Sequence, residues 1–261
     1  MVRLDKFLAE MGKGTRSEIK KYIKQGRVRV NDKVVKAADL KIDPDSCLVT
    51  FDDVKVAYEE YVYYMLNKPK GVVSATSDNR NKTVIDIISK DDRRRDLFPM
   101  GRLDIDTTGL LIISNDGELS HRLLSPKYHV DKCYHAVVEG MVTEDDVDTL
   151  KEPVNIGSDS EPELTMPAKL EIITANDDIS EVYLTIKEGK YHQVKRMMAK
   201  VNHPVMELKR VSFGGLRLDE ELKEGEYRRL TDEEVEVLIN GERCSPLRVM
   251  EYLCSGAHRA P

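Results

Sequence analysis

Gly101-Arg102-Leu103-Asp104-Ile105-Asp106-Thr107-Thr108-Gly109 runs directly into Leu110-Leu111-Ile112-Ile113 and then Ser114-Asn115-Asp116-Gly117. Consecutive aliphatics bounded on both sides by turn-forming residues read as a buried strand. Asp104 therefore sits in a polar loop just ahead of a core strand, which is a rigid mount for a reactive carboxylate. Arg102 lies two residues away, and a guanidinium near a carboxylate favours its ionised form. A plainer reading competes with this one: Asp beside Thr and Gly commonly hydrogen-bonds the backbone of a turn.

Outward from this stretch, Tyr61-Val62-Tyr63-Tyr64-Met65-Leu66 is strand-like and ends at the turn Asn67-Lys68-Pro69-Lys70-Gly71. Val182-Tyr183-Leu184-Thr185-Ile186 alternates as a second strand, residues 155–167 read as a Gly/Ser/Pro/acid-rich loop, and Thr231-Asp232-Glu233-Glu234 starts a helix. A unit boundary falls near residue 60. Ahead of it, Leu4, Phe7, Leu8 and Met11 have helical spacing. Thr15-Arg16-Ser17-Glu18 is a capping box for a second helix that stops at Gly26. Val28, Val30, Val34 and Val35 flank Asn31-Asp32 as a hairpin.

The whole chain, 261 residues and 40% hydrophobic, has apolar material for a real core. No apolar run approaches the ~18–20 residues of a membrane span. Met1-Val2-Arg3-Leu4-Asp5-Lys6 has an acid where a secretion signal would be apolar. Cys47, Cys133, Cys244 and Cys254 include no C-x-x-C pair and read as reduced thiols in a cytoplasmic protein. The net charge of −6 argues against a nucleic-acid binder, but its distribution argues for one. Residues 1–41 carry twelve Lys/Arg against five acids, a charge of +7, so the rest carries −13. A second basic island over residues 189–217 has seven Lys/Arg against Glu207 alone. Such patches are local electrostatic footprints for a polyanion, or else ordinary solvated helix faces.

Two resemblances sharpen the choice. Arg3-Leu4-Asp5-Lys6-Phe7-Leu8, Gly14-Thr15-Arg16 and Gln25-Gly26-Arg27-Val28-Arg29-Val30-Asn31 resemble the small RNA-binding domain first defined in ribosomal protein S4. The usual Gly after the Asn is Asp32 here, which alters the turn type but still suits a hairpin. The central motif fits the D-x-D-x-T pattern of Mg²⁺-dependent phosphohydrolases of the haloacid dehalogenase type, but that family puts the hydrophobic strand before its aspartates, not after. The full string instead resembles the first motif of the pseudouridine synthases, G-R-L-D-x-D-T-x-G-L. Lys132-Cys133-Tyr134 and Glu188-Gly189-Lys190-Tyr191-His192-Gln193-Val194-Lys195-Arg196-Met197 match two further motifs of that family in order. Met65–Gly71 and Glu224–Thr231 match as well. Together with the front module, this is the order of the branch that modifies small-subunit ribosomal RNA.

The resemblance implies an α+β protein. A helix-hairpin RNA-binding domain (1–60) precedes a mixed, mainly antiparallel-sheet catalytic domain (61–240) and a tail (241–261). It implies isomerisation of uridine to pseudouridine, in which nothing is oxidised or hydrolysed overall, so no cofactor or metal is expected. Asp104 would be the catalytic carboxylate, as nucleophile or as base. The target base must leave its stack, and Tyr134 would stack on it. Lys195 would pair with Asp104, Arg102 would fill the vacated space or hold a phosphate, and Leu216 would close an apolar wall. Arg3, Lys6, Arg16, Lys20, Lys24, Arg27 and Arg29 would grip RNA, with Lys190, Arg196, Lys200, Lys209 and Arg210 along its path. His192, beside a tight turn, reads as a structural hydrogen-bonder rather than a base. The implied partner is ribosomal RNA or a subunit precursor, met by a monomer. The rival from another class is a non-catalytic RNA-binding assembly factor.

Overall fold

The computed structural model describes residues 1–94 and 96–240. Elements follow the local signals. In the first unit β1 (Val2–Arg3), α1 (Leu4–Glu10), α2 (Arg16–Gln25), β2 (Val28–Val30), β3 (Lys33–Val34), β4 (Lys41–Ile42), β5 (Val49–Phe51) and β6 (Val54–Val56) follow one another. The Thr15–Glu18 capping box is formed, and Gly26 ends α2 in the left-handed region at φ 82°. Asn31 (φ 48°) and Asp32 (φ 63°) both take positive φ, so the hairpin turn is of the I′ kind even without glycine. The order β3-β2-β5-β6 makes one small sheet and β1-β4 another. Leu4, Phe7, Leu8, Ile19, Ile23, Val28 and Val49 are buried between helices and sheet as a separate core.

The second unit contains β7 (Tyr63–Lys68), β8 (Phe98–Met100), β9 (Thr108–Ser114), α3 (Gly117–Leu124), β10 (Lys132–Glu139), α4 (Glu144–Leu150), β11 (Lys169–Ala175) and β12 (Ile179–Ile186). After these come α5 (Gln193–Lys200), β13 (Val205–Phe213), β14 (Leu216–Arg217), β15 (Tyr227–Arg229) and α6 (Asp232–Asn240). Nine strands form one sheet in the order β11-β12-β10-β13-β9-β7-β15, with β14 on β13 and β8 on β9. Among the described residues its one parallel pairing is β13 with β9, where Lys209 faces Thr108 and Arg210 faces Gly109.

β9 is buried along its whole length. Leu111 and Ile113 face one hydrophobic cluster with Leu66, Ala136, Leu184 and Met197. Leu110 and Ile112 face a second, with Met65, Leu123, Phe213 and Leu238. A strand between two cores has no polar face, which is why its aliphatics run without a break. The first unit touches the second through the Arg94 side chain, which reaches Met11 Sδ (3.2 Å) and Glu59 (3.0 Å). Glu59 also pairs with Arg229 at 2.9 Å. No helix among the described residues is long and apolar enough to cross a membrane. Cys47 and Cys133 are half-buried thiols; Cys244, Cys254 and the expected tail lie outside the described residues.

Candidate active site

The loop between β8 and β9 carries Asp104, and it is fastened from three sides. Thr107 N–H donates to Asp104 O (3.1 Å), closing a turn at the motif itself. Ser74 spans the next step: its hydroxyl donates to Leu103 O (2.8 Å) and accepts from Leu103 N–H (3.0 Å). Gly71 N–H donates to Ile105 O at 2.7 Å. Beneath, the Lys68 ammonium at the end of β7 is fully buried and donates to Thr107 O (2.9 Å) and Pro69 O (3.1 Å). Burial pushes Lys68 down to about 8, against the opposing pull of Asp106 and Asp104. Sequence reasoning assigned no role to Lys68 or Ser74. The available signal was polar residues, Asn67-Lys68, at the end of an otherwise apolar strand.

Asp104 is half-buried and lines a cleft of about 510 Å³ together with Arg102, Tyr134, His192, Lys195 and Leu208. Its carboxylate lies 3.5 Å from His192 Nε2 and 3.8 Å from Lys195 Nζ. The expected Asp104–Lys195 pair is therefore loose. Lys195 instead donates to both oxygens of Asp106, at 2.6 and 2.7 Å. That hydrogen bond holds the Asp106 carboxyl below the usual carboxylate range, against a smaller burial effect. The reason is local geometry: a lone ammonium takes the carboxylate that offers two oxygens together, and Asp106 does so across the loop. Arg102 is exposed on the cleft wall and forms no ion pair with Asp104.

Tyr134, from β10, is 8% exposed and shares its hydrophobic cluster with Leu103, Ile186 and Leu208. Leu216 does not join it. It pairs with Phe213 through β14 and is buried in the cluster on the opposite face of the sheet. Leu208 on β13 lines the cleft instead, with Leu103, Ile186 and Val194. A Leu ahead of the Phe213-Gly214-Gly215 turn and one after it look alike in sequence, and only the sheet pairing separates their faces.

The basic residues divide into committed and uncommitted. Arg196 donates to Ile156 O (2.6 Å) and Glu163 (2.6 Å), and Lys190 to Leu164 O (2.7 Å), so both brace the 155–165 loop. Arg210, expected along the RNA path, is 2% exposed and donates to Leu110 O at 2.8 Å; it is a sheet-core residue stacked near Phe213. Lys200 is exposed and Lys209 half-exposed. In the first unit Arg3 is bonded to Asp5 (3.0 Å), Lys6 pairs with Glu10 (3.5 Å), Arg29 pairs with Asp53 (3.2 Å), and Arg27 pairs with Asp52 while lying over the Tyr22 ring. Arg16, Lys20 and Lys24 are exposed.

A sheet of this topology, with an aspartate loop entering a strand buried on both faces and a basic small-sheet unit in front, matches two family models. RNA pseudouridylate synthase spans residues 62–200 and the S4 domain spans residues 2–46. The chain belongs to the RNA pseudouridylate synthase family. Among particular relatives, the uncharacterized RNA pseudouridine synthase YtzG of Bacillus subtilis is 46% identical over 91% of this chain and 98% of its own. Ribosomal small subunit pseudouridine synthase A of Escherichia coli is 40% identical over 91% of this chain and all of its own. A crystal structure of a pseudouridylate synthase, 40% identical, covers 91% of the chain and all of its own with a TM-score of 0.61.

Proposed function

We propose that the protein converts a uridine of small-subunit ribosomal RNA to pseudouridine, with residues 1–60 gripping the RNA and residues 61–240 carrying the reaction in the cytoplasm. The bond from ribose C1′ to uracil N1 breaks, the base turns, C1′ joins C5, the C5 proton leaves for water and N1 takes up a proton in its place. Asp104 acts at C1′ or at a neighbouring ribose proton. Tyr134 stacks on the everted uracil and shields it while it is detached. Lys195 supplies the positive charge that offsets the developing negative charge on the base. Arg102 enters the gap left in the RNA or holds a phosphate there.

The observation that supports this best is the half-buried Asp104 carboxylate in a cleft that also contains Tyr134 and Lys195. The choice of small-subunit RNA rests on the relatives that carry that name. Small-subunit ribosomal RNA tritiated at uridine C5 tests the proposal. The wild-type protein should release tritium to water, and Asp104→Asn should release none while keeping its fold by circular dichroism. RNA binding without release by the wild type would favour the assembly-factor reading.

A further inference from the structure

One aromatic pair in the cleft has no task in the chemistry above. Tyr191 is 75% exposed, more than any other aromatic among the described residues. Its ring lies flat on His192, with centroids 3.8 Å apart and planes within 17°. The opposite face of the Tyr191 ring meets no other ring among the described residues.

The pair is held in place by a costly backbone. His192 takes φ 48° and ψ 34°, a left-handed conformation that a non-glycine residue keeps only when its surroundings enforce it. They do so here. Lys190 N–H donates to Gln193 Oε1 (2.9 Å), Gln193 Nε2 donates to Glu188 (2.9 Å), and Arg196 Nη1 donates to Tyr191 O (3.0 Å). The same turn leaves His192 Nε2 3.5 Å from Asp104. Tyr191 thus touches His192, and His192 in turn reaches Asp104, all three lining one cleft.

A large exposed ring, stacked on His192 and lining the same cleft as Lys190, Lys195 and Arg102, fits a nucleobase better than it fits solvent. We propose that the outer face of Tyr191 is a stacking subsite for the base adjoining the target uridine. This inference rests on the function proposed above. Everting a uridine leaves its neighbour unstacked, and Tyr191 receives that neighbour beside the catalytic carboxylate. Stacking on an aromatic face tolerates any base, so the subsite supplies affinity and register rather than sequence choice.

The test compares wild type, Tyr191→Phe and Tyr191→Ala on a transcript of small-subunit ribosomal RNA, with tritium release and filter-binding Kd measured in parallel. Tyr191→Phe keeps the ring and should stay within about twofold of wild type in KM and Kd. Tyr191→Ala should raise KM about 5- to 100-fold, with a smaller change in kcat and an unchanged melting temperature. An unchanged KM in Tyr191→Ala, or an equal loss in Tyr191→Phe, overturns the subsite. A wild type that binds but releases no tritium sinks the isomerase reading instead. The Kd values then decide the subsite alone: weaker binding by Ala than by Phe supports it, and equal binding overturns it.

Discussion

Lys195 has two carboxylates within reach and hydrogen-bonds only Asp106. Asp106 is thereby a positioning residue: it fixes where the ammonium sits relative to Asp104. Asp106→Asn should lower kcat about 10- to 100-fold with little change in RNA affinity, because a small misplacement of a charged group is felt at the reacting atoms. Its pH dependence has a definite sign. The folded Asp106 titrates below the unfolded value of about 4, so its contribution to stability is complete above that value and fades as pH falls through the folded one. Urea titrations of wild type and Asp106→Asn should therefore converge in acid. Lys68 gives a slope of the same sign for a different reason: its charged form works against folding. Held at about 8 by burial, it opposes folding while protonated, and stability recovers as pH rises from 8 toward its unfolded value. Lys68→Met should lack that rise in alkaline urea titrations, and should lower kcat by removing the donor to Thr107 O. The family resemblance grouped Asp104, Tyr134 and Lys195, and all three line one cleft. Which carboxylate Lys195 would bond was not, since the two aspartates differ only in how the loop turns them.

β9 shows why some elements were legible and others not. Its aliphatics announced a buried strand because both faces lie against core. The strands that flank it could not be ordered from sequence, since pairing between residues about forty to a hundred positions apart leaves no local pattern. The one trace is Gly109, where a Cβ would come within 2.3 Å of Arg210 O across the parallel pairing, at φ 100°. The obstacle is backbone, which cannot swing aside. Gly109→Ala should cost about 3 kcal/mol or more, read as a fall in the urea midpoint, and should disturb the Asp104 loop that begins this strand. Arg210 explains one misplacement of the same kind. A run of cations reads as a surface, yet the parallel crossing takes this one into the sheet to donate to Leu110 O.

At the scale of the whole molecule, an acidic protein presents its positive charge in two places and spends much of the first on itself. Arg3, Arg27 and Arg29 already have carboxylate partners, whereas Lys20 and Lys24 stand exposed on α2. RNA affinity should therefore depend more on the latter. Replacing both with Gln should reduce the slope of log Kd against log salt by about 1–2, while Arg29→Gln should change it less. Filter binding between low and moderate salt checks this directly. The order in which these parts become available follows from the β9–β13 crossing. The front unit closes its core within the first sixty residues, but the strand entered by the Asp104 loop lacks its parallel neighbour until about 150 further residues have left the ribosome. At about 5–20 residues per second that is a delay of roughly 8–30 s. A nascent chain can hold RNA well before it can act on it.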